Sequence, residues 1–139
     1  MFSSILVPVD LTEQTRSSLD TAIALAGQSR GKVTLLHVIE TIADAEYDEM
    51  RDFYKRLERK ARASLEALAR PLVAAGCNVE QQVIYGKRVK EIVLFAEEHA
   101  NDLILMSSRA PDLDNRGTSW GSISHQVAIL ASCSVLLLK

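Results

Sequence analysis

Three segments hold the residue types from which a nucleotide site can be assembled. Ser107-Ser-Arg-Ala110 follows the apolar run Asp102-Leu-Ile-Leu-Met106, and Gly121-Ser122 follows Trp120 at the start of a helical pattern. Backbone N–H groups at a helix N-terminus lack intrahelical partners and sit at the positive end of the helix dipole, so a Gly-Ser start can receive phosphate oxygens. Arg109 in the first segment, and Arg116 and Gly117-Thr-Ser119 between the two, favour phosphate, whereas Asp112 and Asp114 oppose it. The third segment is Ile5-Leu-Val-Pro-Val-Asp10. Its terminal carboxylate can accept hydrogen bonds from an amino group or a ribose hydroxyl, or it can bond nearby backbone N–H groups where the first helix begins. Trp120 can stack on a base or seal the loop against the body of the protein.

Other chemistries lack their parts. There is no P-loop, no nucleophile elbow and no Ser-His-Asp order of a known kind. His37, His99 and His125 lie on different elements without ligand spacing, so no metal site is expected. Glu97 and Glu98, like Asp112 and Asp114, read as surface charge rather than acid and base partners. Without a general base or a metal-holding carboxylate pair, turnover is expected to amount at most to slow ATP hydrolysis. Cys77 and Cys133 show neither CxxC nor metal spacing and are expected to be reduced thiols.

The elements that must position these residues follow from hydrophobic patterning. Short apolar, β-branched runs alternate with stretches of helical period, the signature of a parallel sheet covered by helices. Five strands are predicted, at Ser4–Val9, Lys32–Ile39, Val79–Tyr85, Asp102–Ser107 and Ser134–Leu138. All but the third are continuous apolar runs, as expected of burial on both faces; the third alternates and is expected at an edge. Leu19, Ala22, Ile23 and Ala26 define a first helix, with Thr12 as its cap and Gly31 helping the chain turn back. Phe53, Leu57, Ala61, Leu65, Leu68 and Leu72 define a long second helix, with Pro71 in its last turn or at a kink. Val89, Ile92, Val93 and Ala96 mark a third, and Ile123, Val127 and Leu130 a fourth. The acidic segment Glu40–Met50 shows no apolar stripe, and no helix is predicted there.

With 139 residues, of which 47% are hydrophobic, the chain suits a single domain over residues 1–139. A net charge of −2 gives no overall electrostatic reason to bind nucleic acid or an anionic membrane. The first ten residues have no basic region and no long apolar stretch, so neither a secretory signal nor a membrane span is expected, and the expected location is the cytoplasm.

Four of these segments, in order, resemble the universal stress protein family over the whole chain: Ile5-Leu-Val-Pro-Val-Asp10, Leu35-Leu-His-Val-Ile39, Gly86 with Val89 and Glu91-Ile92, and Asp102–Met106 with Gly121-Ser122 and the closing strand. The resemblance implies an open, doubly wound α/β fold with strand order 3-2-1-4-5 and four helices on two faces, like that of the adenine-nucleotide alpha-hydrolases. Its ligand crevice would lie where strands 1 and 4 diverge. The resemblance further implies that Asp10 and Val38 hold an adenosine, Val38 through its backbone. Met106, Ser107, Arg109, Ala110, Gly121, Ser122 and Ile123 would line the ribose and phosphates of ATP, with magnesium, or of another adenine nucleotide such as AMP. The family's motif is Gly-x-x-Gly, nine residues, then Gly-Ser or Gly-Thr. Here Ser107 and Ala110 replace both early glycines, and ten residues precede Gly121. A Cβ is costly there if the backbone needs positive φ or if phosphate comes close.

Two functions are therefore expected to compete. One is a stress-response regulatory protein that binds an adenine nucleotide; the other is a nucleotide-independent dimeric interaction module of the same fold. In both, the apolar edge strand Ser134–Leu138 is expected to pair with its copy in a homodimer, as members of the family commonly do.

Overall fold

The computed structural model describes residues 2–11, 15–41, 47–108 and 122–139. Strands β1 (Ser4–Pro8), β2 (Lys32–Ile39), β3 (Asn78–Tyr85), β4 (Leu103–Ser107) and β5 (Ser134–Leu138) form one sheet in the order β3-β2-β1-β4-β5, with every neighbouring pair parallel. Helices α1 (Thr15–Ser29), α2 (Tyr47–Ala74), α3 (Arg88–Glu98) and α4 (Ile123–Leu130) connect them. The architecture and strand order are those expected from the sequence.

Alternation along the strands divides the core in two. Ile5, Val7, Val33, Leu35, Ile39, Leu103 and Leu105 pack against α1 and α2, whereas Leu6, Leu36, Val38, Ile104 and Met106 pack against α3 and α4. Ile5, Leu6 and Val7 are all 0% exposed, so β1 is the sheet's fully covered centre.

Several local expectations need correction. The stripe of α2 begins at Tyr54, which is 2% exposed and meets Tyr85 edge-on, rather than at Phe53, which is 39% exposed; the buried series 54, 61, 65, 72 keeps a helical period. Tyr47–Met50 is helical, and Asp48 and Glu49 in its first turn suit the positive end of the dipole. In α3 the large buried residue is Phe95. Leu130, expected inside, is exposed, and β5 is only partly buried, because the sheet ends there and the eight-residue α4 covers little of it. After α1 the left-handed residue is Arg30, with φ 53°, and Gly31 is required for space instead: a Cβ there would meet Ser3 O at 3.1 Å. Thr12 lies outside the described residues. Among those described, no helix is long and apolar enough to cross a membrane.

At the N-terminal end of the sheet, Asp102 fastens β4 to β1. Its carboxylate accepts from Ser3 N (2.9 Å), Ser3 Oγ (3.1 Å) and Ser4 N (3.1 Å). Burial works to raise its pKa, but these hydrogen bonds outweigh it and hold the carboxyl below the usual aspartate range. A lowered folded-state pKa stabilises the protein fully above the unfolded value of about 3.9, and that contribution is lost as pH falls through the folded value. Asp102→Ala is expected to cost about 1–3 kcal/mol at neutral pH, measured by urea unfolding, with the difference from wild type shrinking in acid.

Candidate functional site

At the carboxyl ends of the strands, the chain leaves β1 towards α1 and β2, and leaves β4 towards α4 and β5. The two central strands therefore diverge, leaving a crevice where open parallel sheets place their ligands. Pairing persists just past the strands: Val9 N donates to Leu36 O at 2.8 Å and Ser108 N to Leu138 O at 2.6 Å. Above them lies a cavity of about 660 Å³. It is within the usual size of a small-molecule pocket, roughly 300–1,000 Å³.

Six of the nine residues singled out from the sequence line this cavity: Asp10, Val38, Met106, Ser107, Ser122 and Ile123. Arg109, Ala110 and Gly121 lie outside the described residues, as do Asp112, Asp114, Arg116, Gly117, Thr118, Ser119 and Trp120.

Ser107 sits in β4 with its Oγ 2.6 Å from that of Ser18 on α1. Among described non-glycine residues, positive φ occurs at Leu11, Arg30 and Ala100 and not at Ser107. This position thus uses neither the backbone freedom nor the missing Cβ of a glycine, and its hydroxyl reaches α1. The next residue makes a second link: Ser124 Oγ donates to Ser108 Oγ at 3.0 Å, with both residues buried. Ser122 caps α4, accepting from His125 N at 3.5 Å, and its hydroxyl also bonds His125 Nδ1. Ser18, Ser108, Ser124 and His125 were not singled out from the sequence. The available signal was serine at each end of the β4-to-α4 connection.

On the other flank, Leu11 turns the chain with φ 65°, an uncommon conformation held while its side chain packs on the core. His37 Nδ1 lies 2.7 Å from Val9 O. A carbonyl only accepts, so Nδ1 carries the proton, and the tautomer this fixes has Nε2 as its acceptor. Gly86, at φ 145°, makes the turn into α3; a Cβ there would meet Glu91 Cγ at 2.7 Å. That turn brings Arg88 to the rim, where its Nε lies 3.3 Å from Glu40 Oε1 and its backbone N donates to the same oxygen at 3.3 Å. The guanidinium hydrogen bond, then the backbone one, lowers the Glu40 pKa. From α2 come Leu57, Lys60 and Ser64. None of Glu40, His37, Arg88 or the α2 residues was foreseen as part of the site. Among the described residues, no group of three His, Cys, Asp or Glu is placed to hold a metal.

Sheet order, crevice and flanking helices define a doubly wound α/β protein. Within that class, the chain belongs to the universal stress protein family, whose model matches residues 1–139. It is 27% identical over 152 residues to universal stress protein YxiE of Bacillus subtilis, covering 100% of both chains. It superposes on universal stress protein UspA from Lactobacillus plantarum with a TM-score of 0.84 at 19% identity, covering 100% of this chain and 99% of that one. A universal stress protein solved in complex with cAMP matches with a TM-score of 0.79 at 20% identity, over 99% and 97% of the two chains. Both structural likenesses speak to the fold.

The buried Ser108–Ser124 pair is expected to hold the start of the β4 connection to α4. Ser108→Ala should lower unfolding free energy by about 1–2 kcal/mol by removing the acceptor of the buried Ser124 hydroxyl, which keeps only a 3.5 Å contact with Ser122 Oγ. Adding Ser124→Ala should cost little more, a coupling of about 1 kcal/mol in a urea double-mutant cycle. Additive losses would contradict the pairing.

Proposed function

We propose that this protein binds an adenine nucleotide, ATP or AMP, in the crevice between β1 and β4, and that occupancy regulates a stress response in the cytoplasm. Asp10 accepts from the adenine amino group or the ribose, and the backbone of Val38 meets the base. Met106, Ser107, Ser122 and Ile123 flank the ribose and phosphates, with Arg109, Ala110 and Gly121 completing the phosphate loop.

One observation carries this reading: a single cavity joins the Asp10 and Val38 flank to the N-terminus of α4. That helix start favours an anion. The crystal structure of a relative with cAMP adds support from the same fold. Ser107 is compatible with it, because its hydroxyl is directed to Ser18. Among the described residues no group of three His, Cys, Asp or Glu is placed to hold a metal, so magnesium would arrive on the phosphates of ATP and be held chiefly by them.

A second reading, a nucleotide-independent dimeric module, draws on the apolar surface at the other side of the sheet. Ile129, Leu130 and Leu136 are exposed on α4 and β5, and β5 ends the sheet. Pairing of Ser134–Leu138 with its copy would cover that edge and is compatible with either reading.

Calorimetric titration with ATP and magnesium separates them. The nucleotide reading expects saturable binding near micromolar, roughly −8 kcal/mol. Asp10→Ala, with its fold intact by circular dichroism, should weaken binding by about tenfold or more. Absence of heat up to millimolar ATP would leave the dimeric module as the function.

A further inference from the structure

The cavity extends past the nucleotide crevice to the α1/α2 face of the sheet. On β2, Val33, Leu35 and Ile39 pack towards α1 and α2, whereas Leu36 and Val38 pack towards α3 and α4. Strand alternation therefore puts His37 on the α1/α2 face, opposite Val38. There it shares the cavity with Lys60 and Ser64 of α2. These two are four residues apart, so they project from the same face of the helix.

Charge pairing distinguishes Lys60 from Arg88, the other described cation that lines the cavity. Arg62 pairs with Glu58, Arg51 with Asp48, Lys32 with Glu80 and Arg88 with Glu40. Lys60 has no described carboxylate partner, and its own helix places Arg56, Leu57, Ala63 and Ser64 at the three- and four-residue spacings. Lys60 and Ser64 thus line the cavity together, beside an imidazole whose Nδ1 is committed to Val9 O. Two donors and one acceptor in this arrangement suit a phosphate group that also bears, or adjoins, a hydroxyl.

We propose that the α2 side of the cavity is a second anion subsite, in which Lys60 and Ser64 take a phosphate group and His37 Nε2 accepts from a neighbouring hydroxyl. The subsite is separate from the α4 N-terminus, so both ends of the cavity can be filled at once. The phosphate is either a second one on a bound nucleotide or inorganic phosphate from solution.

The test follows the His37 ring and Lys60 side-chain NMR signals as inorganic phosphate is added, with and without saturating AMP. Saturable shifts in both titrations are expected. Lys60→Gln should weaken phosphate about tenfold while AMP affinity stays within about twofold, and Lys60→Arg should restore phosphate binding. Absence of shifts at His37 and Lys60, mutual displacement of AMP and phosphate, or an equal loss of both ligands in Lys60→Gln would overturn the proposal. The titration without AMP keeps the two readings apart: failure of AMP alone counts against the nucleotide crevice, and failure of phosphate alone counts against this subsite. Adenosine 3′,5′-bisphosphate identifies the source. If it binds wild type more tightly than AMP does, and that advantage disappears in Lys60→Gln, one ligand spans both ends; equal affinities assign the subsite to the free anion.

Discussion

Burial of β1 on both faces is the constraint on which the rest of the structure depends. Ile5, Leu6 and Val7 cannot face water, so helices must cover both sides of the strand, and its two neighbours must be reached by connections that diverge. The sheet order then leaves β1 and β4 side by side, with the next strands in the chain on opposite sides of the pair. Asp10 emerges at one lip of the crevice, and Ser107 and Ser108 at the other. A polar site exists here because an apolar strand requires this topology.

Hydroxyl groups organise the β4 lip. Ser107 is tied to α1 through Ser18, Ser108 to α4 through Ser124, and Ser122 to the first turn of its own helix. Together these bonds join three elements around the start of the connection from β4 to α4. The Ser107 and Ser108 side chains are turned into the protein's own packing. The opposite lip is organised by charge and imidazole, through the Glu40–Arg88 pair and the His37–Val9 bond. An asymmetric cavity results, with hydroxyls and a helix N-terminus at one end and cationic side chains at the other.

Much of the fold was legible because hydrophobic period is a strong signal wherever burial is complete. Runs such as Val33–Leu36 and Leu103–Met106 announce themselves, and strand order followed from the resemblance they carry. Legibility failed where burial is partial or set by neighbours distant in sequence. Phe53 and Tyr54 are adjacent and both aromatic, and only the packing of Tyr54 against Tyr85 selects which is inside. At β5 an apolar composition suggested two covered faces, yet the edge position leaves Leu136 exposed. The site divided in the same way. Asp10 and Ser122 were visible at the ends of patterned segments, whereas Lys60 and Ser64 lie inside a helix whose register alone aims them at the cavity.

The central claim, that the crevice between β1 and β4 takes an adenine nucleotide, is tested most directly by amide chemical-shift mapping with AMP. The account predicts saturable shifts concentrated at Val38, Ser108, Ser122 and Ile123, from both lips of one crevice. Shifts confined to β5 and the exposed end of α4, or none at all, would contradict it.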